Sequence, residues 1–407
     1  MEKPKKAVAA GHVCLDITPI FPGGIGDKAE NILLPGKLIH VEGADIHTGG
    51  SVANTGTAMK LLGADVRLAG MVGDDDFGKI VREKLKTWGA DQDMIVSEKA
   101  NTSYSVVLAI PGMDRIFLHD PGANDEFVSE DVKEELLEGI ALFHFGYPPI
   151  MKKMYEEEGA ELEKLFRRAK EKGAAVSLDM AAIDPSSAAG RADWERILKR
   201  VLPLVDFFVP SVEELCFMLN RGLYEEWNRR AAGRDLTEVI TWEEVRQLGH
   251  RCMELGAGVV LIKCGAPGIY YCTKSREELE ELCAKLELSA EDWGGKEGFE
   301  ESYEPEALLS GTGAGDTCIA AFLTAVLKGE SLEMALKLAA AEGACCVAAY
   351  DALGGLKGLD EIKEKIQNGW KKQHLNPALK RTEKEPHIGG IENVSKFKRC
   401  VKAGKRK

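Results

Sequence analysis

Short runs of apolar residues alternate along the chain with longer segments in which apolar residues recur every three or four positions. The short runs have the length of β-strands buried on both faces, and the longer segments have the period of amphipathic helices. The predicted strands are residues 7–15, 67–72, 142–145, 174–178, 207–209 and 259–263. The predicted helices are residues 51–62, 77–88, 155–172, 194–201, 213–219 and 242–255. This alternation predicts βαβ units and therefore an α/β fold, a doubly wound, mainly parallel sheet flanked by helices.

Two stretches, residues 31–48 and 101–122, depart from this alternation. Their side chains alternate and are interrupted by turn residues, a pattern typical of β-hairpins. We expect them to form a small β-rich lid over one end of the main domain. The other predicted parts are the main domain itself, 1–370, two insertions within it, about 221–241 and 275–306, and a basic C-terminal tail, 371–407.

Charge is unevenly distributed along the 407 residues. The formal net charge is −13, but residues 371–407 contain 12 Lys and Arg against 3 Asp and Glu, which leaves −22 for the rest. An acidic body argues against nucleic acid as a partner of the main domain. The short tail has little apolar periodicity, so we expect it to be disordered or loosely packed rather than to bind an anionic partner.

The apolar content and the cysteine spacing indicate in which cellular compartment the protein is expected. No uncharged apolar run approaches the ~18 residues of a membrane span, so no membrane association is expected. The ten cysteines are scattered, without a Cys-x-x-Cys pair, and several lie in apolar runs. This is the pattern of reduced core thiols, and it predicts a cytoplasmic protein without structural zinc or disulfides.

The most informative motif is the glycine-rich stretch Ser310-Gly-Thr-Gly-Ala-Gly-Asp316. Its alternate glycines leave backbone N–H groups unshielded, and a helix predicted over 317–328 directs its positive end at the same place. This arrangement suits phosphate. A carboxylate beside a phosphate site repels the ligand unless it handles a proton or a metal, so Asp316 indicates phosphoryl transfer. The alternative is a tight turn that Asp316 merely caps.

A second polar group lies near the N-terminus. Gly49 and Gly50 allow close approach to the backbone, and Asn54 follows in the first turn of a predicted helix, where its amide suits the hydroxyls of a polyol. Asp16 ends the first predicted strand, the position at which open α/β sheets bind ligands. The alternatives are an ordinary helix cap by Ser51 and a loop aspartate.

Other nucleotide and metal motifs are excluded. Gly73 to Ile80 nearly spells a P-loop, but Ile80 cannot bind magnesium and three aspartates would repel phosphate. The eight histidines lack the spacings of a metallohydrolase, and no Gly-x-Ser-x-Gly elbow is present.

Taken together, these motifs resemble those of the ribokinase-like (PfkB) carbohydrate kinases. The likeness covers roughly residues 6–366 without the two insertions. The further motifs in the family's order are Gly11-His-Val-Cys-Leu-Asp16, the run from Gly63 to Gly78, Gly122-Ala-Asn124, Pro210-Ser-Val-Glu-Glu214 and Lys263-Cys-Gly-Ala-Pro-Gly268.

The resemblance implies ATP-dependent phosphorylation of a sugar hydroxyl and assigns roles to individual residues. Asp316 matches the catalytic base, and Gly313, Ala314 and Gly315 match the anion hole. The positions that match the sugar site are Asp16, Gly49, Gly50, Asn54 and Asn124. The positions that match the nucleotide site are Lys263, Gly265, Gly268 and Thr312. Glu214 matches the glutamate that organises Mg²⁺ with its waters, and the resemblance leaves a monovalent cation open as a further cofactor.

Several residues depart from the family's pattern. Ser310-Gly311 replaces the usual Asp-Thr, Ser211 replaces an Asn, and Lys263 replaces a Thr. The segment after Asp179 lacks the Asn and the basic residue that some members carry, which weakens an assignment to kinases of acidic sugars.

Three hypotheses therefore stand. The first is a kinase acting on a primary hydroxyl of a neutral sugar or sugar-like polyol, with ATP and Mg²⁺. The second is a nucleoside kinase of the same fold, and the third is a non-catalytic relative that only binds its ligand. Exposed strand edges in the lid also make a lid-mediated homodimer plausible.

Overall fold

The computed structural model describes residues 4–22, 35–110 and 116–380. Parts of the predicted lid, 31–34 and 111–115, and most of the predicted tail, 381–407, lie outside these residues. Within the described residues the fourteen strands are β1 Lys6–Gly11, β2 Cys14–Ile20, β3 Gly43–Gly49, β4 Asp65–Ala69, β5 Met71–Gly73, β6 Ile95–Ser97, β7 Tyr104–Leu108, β8 Ile116–Asp120, β9 Leu142–Gly146, β10 Ala175–Asp179, β11 Phe207–Phe208, β12 Val259–Lys263, β13 Gly268–Thr273 and β14 Glu297–Glu301.

An eight-stranded sheet with the order β14-β13-β12-β11-β10-β9-β1-β4 forms the centre of the fold. Neighbouring strands from β4 to β12 run parallel, whereas β13 and β14 are antiparallel additions at one edge. Strands β9 and β10 are buried along their whole length, as expected for parallel strands covered on both faces. The predicted doubly wound, mainly parallel α/β fold is confirmed.

Helices cover both faces of the sheet and create two apolar cores. One core contains Phe322 and Leu338, and the other contains Phe166 and Leu198. The helices are α1 Thr57–Leu61, preceded by a π-helical turn Val52–Gly56, α2 Asp76–Lys86, α3 Glu134–Leu137, α4 Lys152–Tyr155, α5 Ala160–Glu171, α6 Ala188–Arg191, α7 Trp194–Val201, α8 Val212–Leu219, α9 Arg221–Ala231, α10 Trp242–Glu254, α11 Arg276–Leu286, α12 Ala290–Trp293, α13 Ala314–Leu327, α14 Leu332–Cys346 and α15 Leu359–Gln367. None of the helices in the described residues is long and apolar enough to cross a membrane.

A four-stranded sheet with the order β3-β2-β7-β8 forms the small lid. The prediction of one main-sheet strand over residues 7–15 is wrong in its extent, since the main-sheet strand ends at Gly11 and Cys14 and Leu15 begin β2 of the lid. The apolar run is continuous in sequence, but the chain leaves the main sheet at Gly11, whose φ of 125° breaks the strand. After His12 and Val13 the chain re-enters a sheet as β2, now paired with β3 and β7.

Both insertions and the start of the tail pack against the main domain. Trp227 in the first insertion is fully buried, and Trp293 in the second stacks edge-on against Phe207 of the main sheet. The second insertion also supplies the edge strand β14. In the tail, the side-chain amide of Asn376 donates to the backbone oxygens of Thr237 and Ile240. Residues 371–380 are thus docked, in contrast to the loose packing expected for them.

Candidate active site

Polar side chains gather where the parallel strands of the main sheet end. His12 follows β1, Tyr147 follows β9, Asp179 ends β10 and Lys263 ends β12. Because the carboxyl ends of parallel strands meet at one edge of the sheet, these residues surround a common space. The helix α13 begins at the same edge.

The glycine-rich stretch forms the start of α13. The helix begins at Ala314, three residues before the predicted start, and Gly313 precedes it in the left-handed conformation with φ 77°. A Cβ at Gly313 would lie 2.2 Å from the Cβ of Ala352, so only glycine fits. The first-turn N–H groups of a helix have no partner four residues back. Ala314 makes only a long 3.4 Å contact with the Gly311 oxygen, so the turn keeps its capacity for an anion.

The carboxylate of Asp316 is held in place by three donors. Asn54 Nδ2 donates to Oδ2 at 3.1 Å, while Thr55 Oγ1 and Tyr147 Oη donate to Oδ1 at 2.9 and 2.7 Å. Asp316 is only 5% exposed. A carboxylate has about four acceptor positions, so these three hydrogen bonds fix its orientation and leave capacity for one more donor.

Tyr147 acts as a donor at every pH of interest. Burial, and then the nearby Asp316 and Asp179, raise the pKa of Tyr147 well above its usual value, so the phenol stays protonated. Its backbone is left-handed with φ 73°, which is unusual for a tyrosine and aims the ring from the end of β9 at Asp316.

Lys263 and Asp179 form an ion pair beside the glycine-rich turn. Lys263 Nζ lies 2.7 Å from Asp179 Oδ1, and the two side chains are 14% and 2% exposed. Burial raises the pKa of Asp179 to about 7, although Lys263 opposes the shift. Burial lowers the pKa of Lys263, but the attraction of Asp179 and Glu214 outweighs it and the net shift is upward. Lys263 Nζ also lies 3.7 Å from the position that a Cβ on Gly315 would take, so a fixed positive charge adjoins the anion-binding turn.

Glu214 could take part in binding a divalent cation. It is the third residue of α8, and its Oε2 accepts the backbone N–H of Ser211 at 2.9 Å. Among the described residues no group of three His, Cys, Asp or Glu side chains could hold a metal by itself. Mg²⁺ usually keeps several waters and uses one or two carboxylates together with substrate phosphates, so a single glutamate at this position could serve it.

On the lid side, Gly49 lies directly against Asp16, and Gly50 lies against His12. A Cβ on Gly49 would come within 2.2 Å of Asp16 Oδ2. The Asp16 carboxylate can therefore occupy this position only because residue 49 is a glycine. Burial raises the pKa of Asp16, while hydrogen bonds from Cys14 and Ser105 oppose the shift. Repulsion from Asp316 raises this pKa further. The hydrogen bond from Asn54 to Asp316 brings the two groups of residues predicted from sequence into contact.

Comparison with known proteins decides the family. The model of the pfkB family carbohydrate kinases matches residues 12–357, most of the chain. The chain belongs to the pfkB family of carbohydrate kinases. It is 25% identical over 354 residues to the ribokinase of Arabidopsis thaliana, covering 86% of this chain and 80% of the relative. It is 26% identical over 322 residues to the 2-dehydro-3-deoxygluconokinase of Thermoproteus tenax, covering 78% and 84%.

Solved structures show the same fold. The structure of Arabidopsis thaliana ribokinase complexed with ribose and ATP is similar to this kinase with a TM-score of 0.64. The likeness covers 89% of this chain and 98% of that one at 21% sequence identity.

The predicted nucleotide residues of this kinase have local structural roles as well. Gly268 begins β13, and a Cβ there would lie 2.1 Å from the Glu300 oxygen of β14, so the edge strand alone demands a glycine. Gly265 has φ 61° and closes the turn between β12 and β13. Thr312 donates its N–H to Ser310 Oγ at 3.1 Å, which shapes the entry to the glycine-rich turn. Their contacts with a nucleotide stay predictions.

Asn124, predicted as a substrate contact, is fully buried, and its amide pairs with backbone. Its Oδ1 accepts the Val13 N–H at 3.1 Å, and its Nδ2 donates to the oxygens of Val13 and Pro121 at 2.9 and 3.1 Å. These bonds tie the connection between β1 and β2 to the segment after β8. The geometry favours a positioning role.

Replacing Asn124 with leucine should lower the free energy of unfolding by about 3 kcal/mol, because the buried Val13 N–H and oxygen lose their partners. Urea denaturation followed by tryptophan fluorescence measures the change. Asn101→Leu, at an exposed position, is the control and should change it by less than about 0.5 kcal/mol. Unchanged stability in Asn124→Leu would contradict the positioning role.

Proposed function

We propose that this kinase transfers the γ-phosphoryl group of ATP to a primary hydroxyl of a neutral sugar or sugar-like polyol. The observation that carries the proposal is the placement of Asp316, a buried carboxylate oriented by three donors at the first turn of α13. Such a carboxylate can take a proton from a hydroxyl at the same place where backbone N–H groups receive an anion.

The proposed step keeps all atoms in balance. The hydroxyl oxygen bonds to the γ-phosphorus, the bond from that phosphorus to the β,γ-bridging oxygen breaks, and ADP leaves. The hydroxyl proton passes to Asp316. The N–H groups of Gly313, Ala314 and Gly315 form the proposed anion hole for the transferred group, whose charge spreads over its outer oxygens.

The donor is proposed to be ATP, bound over Gly265, Gly268 and Thr312 with its phosphates towards Lys263. The Arabidopsis ribokinase structure of the same fold is complexed with ATP, which supports this choice. Mg²⁺ bound to the phosphates would neutralise part of their charge, and Glu214 would hold it through its waters.

Pairing of two copies through the lid stays a prediction. Strands β3 and β8 are the two edges of the lid sheet, and Ile46, Phe117 and Leu118 on them are 39 to 55% exposed. Exposed apolar strand edges favour pairing between chains.

The test is sugar-dependent release of ADP from ATP and Mg²⁺ across a panel of pentoses, hexoses, polyols and nucleosides. The proposal predicts release with at least one neutral sugar or polyol. Release with nucleosides alone would favour a nucleoside kinase, and no release in the presence of any of them would contradict the proposal.

Tyr147→Phe should lower kcat about tenfold, because Asp316 loses one of the donors that fix its orientation while the ring keeps its packing. KM for ATP should stay within about twofold. Steady-state rates measure both. Tyr224→Phe, whose ring packs against Phe217 away from Asp316, is the matched control. An unchanged kcat in Tyr147→Phe would show that its hydrogen bond does not serve catalysis.

A further inference from the structure

The turn between β12 and β13, residues 264–267, has an open face. Gly265 and Ala266 are exposed there, and Gly265 is one of the residues over which ATP is proposed to bind. Two hydrogen bonds set the shape of the turn, from the Cys264 N–H to the Gly268 oxygen at 2.8 Å and from the Gly268 N–H to the Gly265 oxygen at 3.2 Å. The position of the turn depends on the segments that contact it, and two of these belong to the insertions.

The first insertion contacts the turn through Thr237. A Cβ on Gly265 would lie 3.2 Å from Thr237 Cγ2, so the threonine side chain fills that side of the turn. Thr237 is 4% exposed, and its N–H and its hydroxyl both donate to Asp235 Oδ1, at 2.8 and 2.7 Å. These bonds leave the backbone oxygen of Thr237 available to a donor from another part of the chain.

The second insertion contacts the turn through Ser302, which directly follows β14. The N–H of Ser302 donates to the Pro267 oxygen at 3.2 Å. Ser302 is buried, and its hydroxyl and its backbone oxygen both accept hydrogen bonds from beyond the insertion. The turn is therefore flanked by one residue from each insertion.

The docked segment of the tail, residues 371–380, binds both flanking residues. Asn376 Nδ2 donates to the backbone oxygen of Thr237 at 2.8 Å. Gln373 donates twice to Ser302, from its N–H to the backbone oxygen and from Nε2 to Oγ, each at 2.9 Å. Leu379 is 1% exposed and anchors the segment in an apolar core. One short segment thus holds the turn through two side-chain amides.

Lys263, the residue just before the turn, is anchored independently of the tail. Its N–H donates to the Pro210 oxygen at 2.9 Å, and its Nζ pairs with Asp179 at 2.7 Å. Pro210 and Asp179 belong to the main domain outside both insertions. Loosening the turn should therefore leave the positive charge beside the glycine-rich stretch in place. We expect such a change to alter binding of the nucleotide more than transfer of the phosphoryl group.

We infer that Gln373 and Asn376 are positioning residues that hold the β12–β13 turn in place for the nucleotide. A turn that is fixed before the ligand arrives loses less conformational freedom on binding, so the affinity is higher. This inference rests on the proposed function, in which the turn binds ATP. It gives a part in the reaction to a segment that lies beyond the residues matched by the family model, 12–357.

The experiment uses the full chain and compares Asn376→Ala and Gln373→Ala with the unaltered protein. Steady-state rates give kcat and the KM values for ATP and for the best sugar, and titration calorimetry gives the dissociation constant of ADP without sugar. Each variant should raise KM for ATP and the dissociation constant of ADP about fivefold, while kcat and KM for the sugar stay within about twofold. A role in overall stability alone would lower the melting temperature without separating the two KM values.

A further variant tests whether the donated hydrogen bonds are the cause. Asn376→Asp keeps an oxygen that can accept from the Ala378 N–H, but it has no N–H for the oxygens of Thr237 and Ile240. It should therefore raise KM for ATP at least as much as Asn376→Ala does.

Two matched controls remove side-chain amides of the same kind elsewhere. Asn228→Ala alters an exposed asparagine of the first insertion, whose Nδ2 donates to the Tyr224 oxygen within the same helix. Gln247→Ala alters an exposed glutamine of α10 that donates to Glu243. Both controls should leave every constant unchanged.

The results that would overturn the inference are distinct from those that would overturn the proposed function. Unchanged KM for ATP and unchanged ADP affinity in the folded Asn376→Ala and Gln373→Ala proteins would overturn the inference alone, as would an equal rise in the KM values for ATP and sugar. Absence of both ADP binding and sugar-dependent ADP release in the unaltered protein would overturn the proposed function, and the inference with it.

Discussion

Asp316→Asn should lower kcat about a thousandfold at saturating ATP and sugar. The carboxylate of Asp316 is the group at the start of α13 that is proposed to take the hydroxyl proton. General-base catalysis typically raises a reaction rate by roughly 10²- to 10⁴-fold. Asparagine has the same shape and its oxygen can still accept from Thr55 and Tyr147, so the fold is expected to persist. The KM for ATP should therefore change little.

Initial rates of sugar-dependent ADP release measure this loss, and thermal denaturation checks that the variant is folded. Asp360→Asn, with a fully exposed side chain on α15, is the matched control and should keep full activity. A loss below tenfold in Asp316→Asn would contradict the role of Asp316 as the base.

Lys263→Met should lower kcat about a hundredfold and raise the KM for ATP. The charge of Lys263 lies beside Gly315, where the transferred phosphoryl group is proposed to gather negative charge. Removing one contact that stabilises such charge typically lowers kcat roughly 10²- to 10³-fold. The variant also leaves Asp179 buried without its cation, a change that by itself destabilises a protein.

A double variant separates these two effects. Lys263→Met combined with Asp179→Asn removes both charges, so stability should return towards that of the unaltered protein. Activity should stay low if Lys263 contacts phosphate. Recovery of activity in the double variant would show instead that Lys263 serves only to neutralise Asp179.

The main sheet was predictable because its evidence is local. Strands such as β9 and β12 are short apolar runs, and α7 and α10 repeat apolar residues with helical period, so each element is visible in a few residues. The boundary between β1 and β2 was missed because it depends on one glycine conformation and on which sheet the next residues join. Pairing partners are set by tertiary contacts that a single strand does not reveal.

The candidate site was predictable only where its signals are local. The glycine spacing before Asp316 and the Gly49-Gly50 pair are such signals, so these two groups of residues could be picked out from the sequence, and their roles in binding stay predictions. Tyr147 and Thr55 were missed because they meet Asp316 across 169 and 261 residues, and neither belongs to a recognisable spacing. The one available signal was position, since Tyr147 directly follows a buried strand at the edge where ligands bind.

The most direct test of the account is to follow the γ-phosphate itself. ATP labelled at the γ-position is incubated with Mg²⁺ and the sugar that gives the highest rate of ADP release, and the labelled products are separated. The account predicts that the label appears in a sugar phosphate monoester in amounts equal to the ADP formed, and that Asp316→Asn abolishes this product. Label found in inorganic phosphate, with none in the sugar, would contradict it.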